Sequence, residues 1–237
     1  MEQPRIVPMF NLKRRKIDIL KELEDAYIRQ TSLLPAPFEN KKVKVDMLFY
    51  PLQEISGDFY DVWWDEKTDT LHGYLIDATG HDICSALQVF ALRELFRCSL
   101  TVVASTTLSD RMQWINQQMW TDRFDPIQAA AILFSLKPDG TFCYTTAGIS
   151  PVYTYINSSP VYLDMYGYLL GIIPDADYSE SCIKLDRGDS IIIMTDGFSE
   201  RLETNPCRPQ ATVALMHKIG NDPARRDDAS AIIVHQK

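Results

Sequence analysis

The sequence predicts an α+β fold in which antiparallel β-sheets carry helices on their outer faces. Two pairs of strand-like segments are joined by short polar turns: GDFYDVWW and LHGYLIDA flank DEKTDT, and QAAAILFSL and TFCYTTA flank KPDG. Between these hairpins the apolar pattern changes from strand-like to helical. Consecutive hairpins build antiparallel sheets, and the intervening helices bury their apolar sides against a sheet face.

The N-terminal segment predicts a helix followed by a linker. Apolar side chains recur at helical spacing over residues 12–30, and the prolines of TSLLPAPF then force an extended exit. A basic cluster at residues 13–16 is interpreted as a solvated helix face, with a lipid or partner patch as the alternative. We divide the chain into an N-terminal helix and linker over residues 1–40, a candidate switch or dimer segment, and one domain over residues 41–237.

Three further helices are predicted inside this domain. Residues 83–100 are apolar on all sides, which predicts a largely buried helix. Residues 108–120 predict a more amphipathic helix with Ser109 as its N-cap. Residues 208–220 predict a helix that ends at Gly220. The remaining strands are predicted, in chain order, for KVKVDMLFY, PVYTYI, SCIKL, DSIIIMTD and ASAIIVHQ.

Composition narrows the class of protein. A chain of 237 residues with 46% hydrophobic and 24% charged residues is ordinary for a globular protein with one large domain. The net charge of −8 argues against nucleic-acid binding, which requires a basic surface. No apolar run is long enough for a membrane span or a signal peptide, so we expect a cytoplasmic protein without a membrane partner. Only residues 1–40 precede the domain, so no upstream sensor domain is expected.

The cysteines predict neither a disulfide framework nor a zinc site. Their number is odd, and no two have the CxxC spacing. We therefore expect reduced thiols in a reducing compartment. The five positions are Cys84, Cys98, Cys143, Cys182 and Cys207.

Aspartates stand at the ends of four strand-like segments. One such aspartate is typical of a turn, where its side chain bonds to nearby backbone amides. Four in one chain are harder to explain as turns and suggest a shared site. They lie in SGDFYD (Asp58, Asp61), YLIDATGH (Asp77), IIIMTDGFSE (Asp196) and ARRDDAS (Asp227, Asp228).

Clustered carboxylates predict a divalent metal ion. Close acids raise one another's pKa unless a positive charge offsets their repulsion. Oxygen donors without a Cys or His set favour Mg²⁺ or Mn²⁺ over zinc. Two such ions, about 3.5–4 Å apart, are able to hold a water and clamp a phosphoryl group for in-line attack. The residues alone therefore indicate a phosphoesterase, and a carboxylate–metal nuclease is disfavoured by the acidic net charge.

Other catalytic machinery is not indicated. The sequence has neither GxxxxGK[ST] nor GxGxxG, so no phosphate-cradling nucleotide loop is predicted. It also lacks GxSxG, and its four histidines offer no Ser-His-Asp order. His81 is the histidine nearest an acidic segment, and a turn role is favoured for it over a catalytic one.

Five motifs, taken in order, resemble a known family. SGDFYDVW, YLIDATGHDICSAL, AGISPVYTY, LDRGDSIIIMTDGFSE and DDASAIIV follow the order GDFYD, DxSGHGxxAAL, AGHxP, TDGxxE and DDxT. This order is that of the bacterial branch, typified by SpoIIE and RsbU, of the PPM metal-dependent protein serine/threonine phosphatases. The resemblance covers nearly everything from residue 45 to 235, and it implies an antiparallel β-sandwich flanked by helices in αββα layers.

The resemblance also implies a set of metal ligands, which are the expected catalytic residues. Asp58 and Asp77 match ligand positions, with Asp77 bridging both ions. The backbone carbonyl oxygen of Ala78 matches a further ligand. Asp196 and Asp227 complete the set.

Some positions match supporting residues or depart from the family pattern. Asp228 matches a position that more often positions the ligands than binds an ion. Asp61 is likewise expected to position the ligands without binding an ion itself. Asp82 stands where the family often has glycine, which alters the loop but removes no ligand. Ile149 replaces the histidine of AGHxP, and Ser230 replaces the threonine of DDxT.

The implied activity is hydrolysis of phosphoserine or phosphothreonine on a regulatory protein, by a water activated between two Mn²⁺ or Mg²⁺ ions. The implied substrate is an anti-sigma-factor antagonist with a STAS fold. The helix ending in QTSLLP is similar to the family segment that contributes to dimer contacts and switching, so a homodimer or an activator is expected to act through it. The alternative is an inactive regulatory binding module on the same fold, which the retention of all four aspartates disfavours.

Overall fold

The computed structural model describes residues 16–103, 106–120, 128–149, 152–156, 159–163, 166–202 and 209–237. The helices are α1 Lys16–Ser32, α2 Ile83–Val102, α3 Leu108–Met119, α4 Asp196–Ser199 and α5 Pro209–Gly220. The strands are β1 Phe38–Glu39, β2 Val43–Tyr50, β3 Asp58–Asp65, β4 Thr70–Ala78, β5 Ala129–Leu136, β6 Thr141–Ala147, β7 Val152–Ile156, β8 Ser159–Leu163, β9 Glu180–Lys184, β10 Ser190–Met194 and β11 Ala229–Gln236.

The strands form two antiparallel sheets, which we call sheet A and sheet B. Sheet A has the order β1-β2-β11-β10-β7-β8, and sheet B has the order β3-β4-β5-β6-β9. The two predicted hairpins are present as β3–β4 and β5–β6. Alternate side chains of the two sheets meet in one central core. Helices α2 and α3 cover the outer face of sheet B, and α4 and α5 cover that of sheet A. The predicted α+β fold with αββα layers is confirmed.

Helix α2 is less buried than its sequence predicts. Val89 and Phe96 are fully buried against sheet B. Leu87, however, is 66% exposed, and Ile83 and Val102 are also exposed. A helix that packs on a sheet contacts it along one side only, so apolar residues on its other side remain in solvent.

Helix α3 begins at a different cap from the one predicted. Thr107, not Ser109, is the N-cap: its Oγ1 accepts a hydrogen bond from the Asp110 amide at 3.1 Å. The Asp110 carboxylate in turn accepts one from the Thr107 amide at 3.1 Å. This reciprocal pair satisfies two amides that a helix start leaves free. A third, that of Leu108, donates to the Glu180 carboxylate at 2.6 Å.

The prediction that all cysteines are reduced is wrong for one pair. Cys143 and Cys182 form a disulfide between β6 and β9. They are 39 residues apart in sequence, but the strand register sets them directly opposite, with Cα atoms 4.1 Å apart. Cys84 and Cys98 are free and exposed, and Cys207 lies outside the described residues.

Helix α1 and strand β1 precede the main body of strands. Residues 13–15 of the predicted basic cluster lie outside the described residues. Strand β1 pairs with β2, so the chain joins sheet A before residue 40, and the domain division at residue 40 stays a prediction. None of the described helices combines the length and apolar character needed to cross a bilayer.

Candidate metal centre

The first two predicted ligands are direct neighbours in sheet B. Asp58 opens β3, Asp77 lies near the end of β4, and the antiparallel register sets them opposite each other. Side chains alternate along a strand, so Asp58 faces the same way as Tyr60, and Asp77 the same way as Leu75. Tyr60 and Leu75 belong to the core between the sheets. Both aspartates therefore lie at the edge of the space between the two sheets.

The other two predicted ligands come from the facing edge of sheet A. Asp196 follows β10 and begins α4, while Asp227 lies just before β11. These strand ends are held together because the Thr195 amide donates to the Ser230 carbonyl oxygen at 3.0 Å. The charge of Asp196 raises the pKa of the Asp77 carboxyl group while the Asp196 backbone amide lowers it, so the two residues are close neighbours across the sheets.

Side chains next to these aspartates fix the position of β3. Thr195 Oγ1 donates to Asp58 Oδ2 at 3.0 Å and accepts from the Ser230 amide at 3.0 Å. The buried Asp228 carboxylate accepts hydrogen bonds from the amides of Leu52 and Gly57, at 2.6 and 2.7 Å. Asp228 thus ties the loop before Asp58 to sheet A, which agrees with the expected supporting role.

Two glycines allow the backbone segments of the site to approach closely. A Cβ atom on Gly197 would lie 1.9 Å from the Asp228 carbonyl oxygen. One on Gly57 would lie 2.6 Å from the Gly80 carbonyl oxygen and 3.1 Å from that of Ala78. No side chain fits at either position, which accounts for glycine beside the aspartates of SGDFYD and TDG.

The site holds more negative charge than its surroundings offset. Burial, and then the charges of Asp77 and Asp228, raise the pKa of Asp58 well above its usual range. Burial, and then the charges of Asp196 and Asp227, do the same to the pKa of Asp77. The pKa of Asp196 is raised by burial and by Asp227. A cation at this point would reverse these effects.

The donor set fits a hard divalent ion. The side-chain donors are carboxylate oxygens, and the nearby guanidinium of Arg225 is bonded to the backbone carbonyl oxygens of Asp227 and Pro51 instead of to a carboxylate. Oxygen donors of this kind suit Mg²⁺ or Mn²⁺. Carboxylates without an offsetting charge, of which Asp58 is fully buried, together with oxygen-only donors make this edge a suitable metal centre.

The aspartates are more widely spaced than a compact single-ion site. In the described part of the chain, one trio of Cys, His, Asp or Glu side chains has its ligand atoms within 4.8 Å of one another: Cys143, Glu180 and Cys182. Its two cysteines are joined in the disulfide, so their sulfurs are not free thiolates.

Residues 67–235 match the family model described as Stage II sporulation protein E (SpoIIE). The chain belongs to the SpoIIE family. This confirms the resemblance seen in the motifs, although Asp58 lies ahead of the matched residues. Phosphoserine phosphatase RsbU of Bacillus subtilis (strain 168) is 24% identical over 190 residues, which are 77% of this chain and 55% of RsbU. The chain thus spans little more than half the length of that relative.

Solved structures show the fold at this level of similarity. The SiaA-PP2C domain of Pseudomonas aeruginosa has a TM-score of 0.76 and 19% identity, covering 93% of this chain and 98% of that one. RsbX in complex with magnesium has a TM-score of 0.64 and 20% identity, covering 85% of this chain and 99% of RsbX. The αββα sandwich of this SpoIIE-family chain is therefore the fold of PP2C phosphatase domains.

Several residues of the SpoIIE-family motifs lie away from the carboxylates. Asp61 is three residues after Asp58 in β3, so it faces the opposite side, toward α2. There burial raises its pKa, while the charges of Arg93 and Arg97 lower it. Asp61 therefore does not support the predicted ligands. Ile149, at the position of the family histidine, is buried in the central core.

The loop after β4 is built by side-chain hydrogen bonds. Asp82 is the N-cap of α2 and accepts a hydrogen bond from the Ser85 amide at 3.0 Å. His81 Nδ1 lies 3.0 Å from Gln53 Nε2, a contact that agrees with the favoured turn role. The substitution of glycine by Asp82 thus gives α2 a cap and removes no predicted ligand.

Sequence reasoning missed Gln30, the one buried side chain among those described in α1. Its Nε2 donates to the Ser56 carbonyl oxygen at 2.8 Å, and its Oε1 accepts from the Ser56 amide at 2.9 Å. Ser56 Oγ then accepts from the Asp58 amide at 3.0 Å. Gln30 therefore links α1 to the strand that carries Asp58. Its only sequence signal was its place in QTSLLP, which says nothing about a contact 26 residues away.

Proposed function

We propose that this chain is a metal-dependent protein serine/threonine phosphatase that hydrolyses phosphoserine or phosphothreonine on a regulatory protein. The observation that carries the proposal is the meeting of Asp58 and Asp77 from sheet B with Asp196 and Asp227 from sheet A, in a site rich in uncompensated negative charge. Membership of the SpoIIE family supports it, as does the name of RsbU as a phosphoserine phosphatase.

The proposed ligands are those implied by the motifs: Asp58, Asp77, the carbonyl oxygen of Ala78, Asp196 and Asp227. We propose two ions, Mn²⁺ or Mg²⁺, and the magnesium in the RsbX complex supports an ion of this class. When bound, such ions supply an activated water and neutralise charge on the phosphoryl oxygens.

The residues of this chain keep the ligands in place. Thr195 fixes the Asp58 carboxylate by a hydrogen bond of 3.0 Å. The Asp196 amide lies close to the Asp77 carboxyl group and lowers its pKa. Asp228 holds the loop before β3, so that the two sheets keep their relative position at the site. A site held by such contacts loses little free energy to rearrangement when ions and phosphate bind.

We propose a phosphoprotein as the substrate, with an anti-sigma-factor antagonist of the STAS type as the specific candidate. The proposed regulatory element is α1, through which a second copy of the chain or an activator would bind. Its side chains Ile19, Tyr27 and Ile28 are exposed, Ile28 by 61%. Exposed apolar residues on a helix are typical of surfaces that a partner covers.

The alternative proposal is a regulatory binding module of weak or no activity. The four retained aspartates favour an enzyme over this alternative. The two proposals differ in whether phosphate is released.

The test is phosphate release from a phosphoserine peptide in Mn²⁺, with and without chelator. We expect release that stops in chelator and falls at least a hundredfold in Asp196→Asn, in line with the loss of a catalytic group. Asp186→Asn is the matched control, because this exposed aspartate lies in the β9–β10 turn. Release that persists in chelator contradicts metal dependence. Metal binding without turnover, with or without a partner, supports the binding module.

A further inference from the structure

A cleft of about 390 Å³ opens beside the candidate metal centre, and we call it the arginine cleft. Gly197 and Asp227 are among its lining residues, so it adjoins the proposed ligands directly. Three of its lining residues are arginines, Arg201, Arg225 and Arg226. A concentration of cations is unexpected in a chain with a net charge of −8 and calls for a specific explanation.

The three arginines differ in what they bind. Arg201 pairs with Asp222, with an N–O distance of 2.6 Å, so its charge is already neutralised. Arg225 donates to the carbonyl oxygens of Asp227 and Pro51, which fixes its guanidinium, and its charge also interacts with those of Asp228, Asp58 and Asp227. Arg226 is exposed, and none of the described acids pairs with it. Of the three charges, that of Arg226 is therefore free for a ligand.

The acids that line the arginine cleft do not neutralise its arginines once metal ions are bound at the candidate metal centre. Asp227 is one of its two lining acids, and Glu200 is the other. Under the proposed function, on which this step rests, Asp227 binds a metal ion. Glu200 is then the one lining acid without a metal ion, against three lining arginines, so the lining of the arginine cleft carries a net positive charge.

We propose that the arginine cleft binds an acidic side chain of the phosphoprotein substrate, next to the phosphorylated residue. A guanidinium offers a planar pair of N–H donors that matches a carboxylate. Arg226 directly precedes Asp227, so their Cα atoms lie about 3.8 Å apart. An extended peptide advances about 3.3 Å per residue, so a residue one or two places from the phosphoserine reaches Arg226. The volume of the arginine cleft suits one or two side chains.

The test compares three phosphoserine peptides that differ only beside the phosphoserine, with Asp-Glu, Asn-Gln or Lys-Lys at the neighbouring positions. For the wild-type chain in Mn²⁺ we expect kcat/KM to be about 5- to 10-fold higher for the acidic peptide than for the neutral one, equivalent to 1.0–1.4 kcal/mol. The preference falls as salt is raised, because the arginine cleft is open to solvent.

Charge reversal at the arginine cleft gives the sharpest comparison. In Arg226→Ala we expect the ratio of kcat/KM for the acidic peptide to kcat/KM for the neutral peptide to fall toward one. In Arg226→Glu we expect the Lys-Lys peptide to become the preferred substrate. Arg187→Ala is the matched control: Arg187 is an exposed arginine in the β9–β10 turn, and we expect the wild-type ratio for it. Mn²⁺-induced thermal stabilisation of each variant reports whether its fold and metal centre are intact.

The outcomes separate this inference from the proposed function. Equal kcat/KM for the acidic and neutral peptides in an active wild-type chain overturns the inference and leaves the phosphatase standing. An unchanged ratio in an intact Arg226→Glu variant does the same. If the wild-type chain hydrolyses none of the peptides and no small phosphate ester, the proposed function fails, and the inference fails with it.

Discussion

Replacing Asp58 by Asn should stabilise the metal-free protein while removing metal binding. Asp58 is fully buried, and its pKa is raised by burial and by the charges of Asp77 and Asp228. Asn has the same shape, keeps an oxygen for the Thr195 hydroxyl, and carries no charge. Relieving a buried, uncompensated polar group is worth about 1–3 kcal/mol, so we expect the free energy of unfolding to rise by that amount.

The pH dependence of this gain has a defined sign. The pKa of Asp58 is higher in the folded state than in the unfolded state, so the wild-type metal-free protein loses stability as pH rises through the folded pKa. Below the ordinary aspartate pKa of about 3.9 both proteins carry a neutral group, and the difference disappears. The gain from Asn is thus larger at pH 7.5 than at pH 5.

The assay is thermal and urea unfolding of both proteins in chelator and in Mn²⁺. For a chain of this length, 1 kcal/mol corresponds to about 2–4 °C in melting temperature. Mn²⁺ at one hundred times its Kd should add about 2.7 kcal/mol to the wild-type protein and much less to the variant. Asp61→Asn is the control, since Asp61 lies on the other face of β3 and should leave the Mn²⁺ effect unchanged. An Asp58→Asn variant that is less stable in chelator, or that retains the full Mn²⁺ effect, refutes the reasoning.

Three further predictions follow from contacts around the site and the sheets. Gln30→Ala should lower the free energy of unfolding by about 1–3 kcal/mol, because it removes both hydrogen bonds to the backbone of Ser56 in the loop before Asp58. The variant should also need a higher Mn²⁺ concentration for half-maximal activity. An unchanged Mn²⁺ titration would disprove the link between Gln30 and the metal centre. Gly197→Ala should lower the free energy of unfolding in urea by at least about 1–3 kcal/mol, since the added Cβ would lie 1.9 Å from a carbonyl oxygen. A variant that unfolds at the same urea concentration as the wild-type chain would contradict this. Cys182→Ser should lower stability by about 2–4 kcal/mol under oxidising conditions and leave it unchanged in reductant; equal loss in both would mean that the disulfide with Cys143 is not the cause.

Most of the order of strands and helices could be predicted from local sequence patterns. The alternating apolar runs and turn residues around DEKTDT and KPDG are local signals, so both hairpins could be predicted. Strand β8 was missed, because SPVYL offers only a short run that begins with a serine and a proline. The exposed side of α2 was missed because composition does not show which side of an apolar helix meets the sheet.

The sequence was sufficient to predict which aspartates belong to the candidate site. It was not sufficient to predict the contacts that these residues make. Aspartates at strand ends could be recognised one by one, whereas their meeting depends on the pairing of distant strands. Period-two alternation does separate Asp58 from Asp61, so the side that Asp61 faces was available from the sequence. The Gln30 contact and the Cys143–Cys182 disulfide were not available, since each depends on the folded position of segments 26 and 39 residues apart.

The most direct measurement is phosphate release from a phosphoserine peptide as Mn²⁺ is titrated into the wild-type chain, Asp77→Asn and Asp61→Asn. Asp77 is the proposed ligand of both ions and lies between the two sheets, opposite Asp58. The account predicts activity that rises with Mn²⁺ in the wild-type chain and in Asp61→Asn and is lost in Asp77→Asn. Activity that is independent of Mn²⁺, or that persists in Asp77→Asn, would contradict a metal-dependent phosphatase centred on these four aspartates.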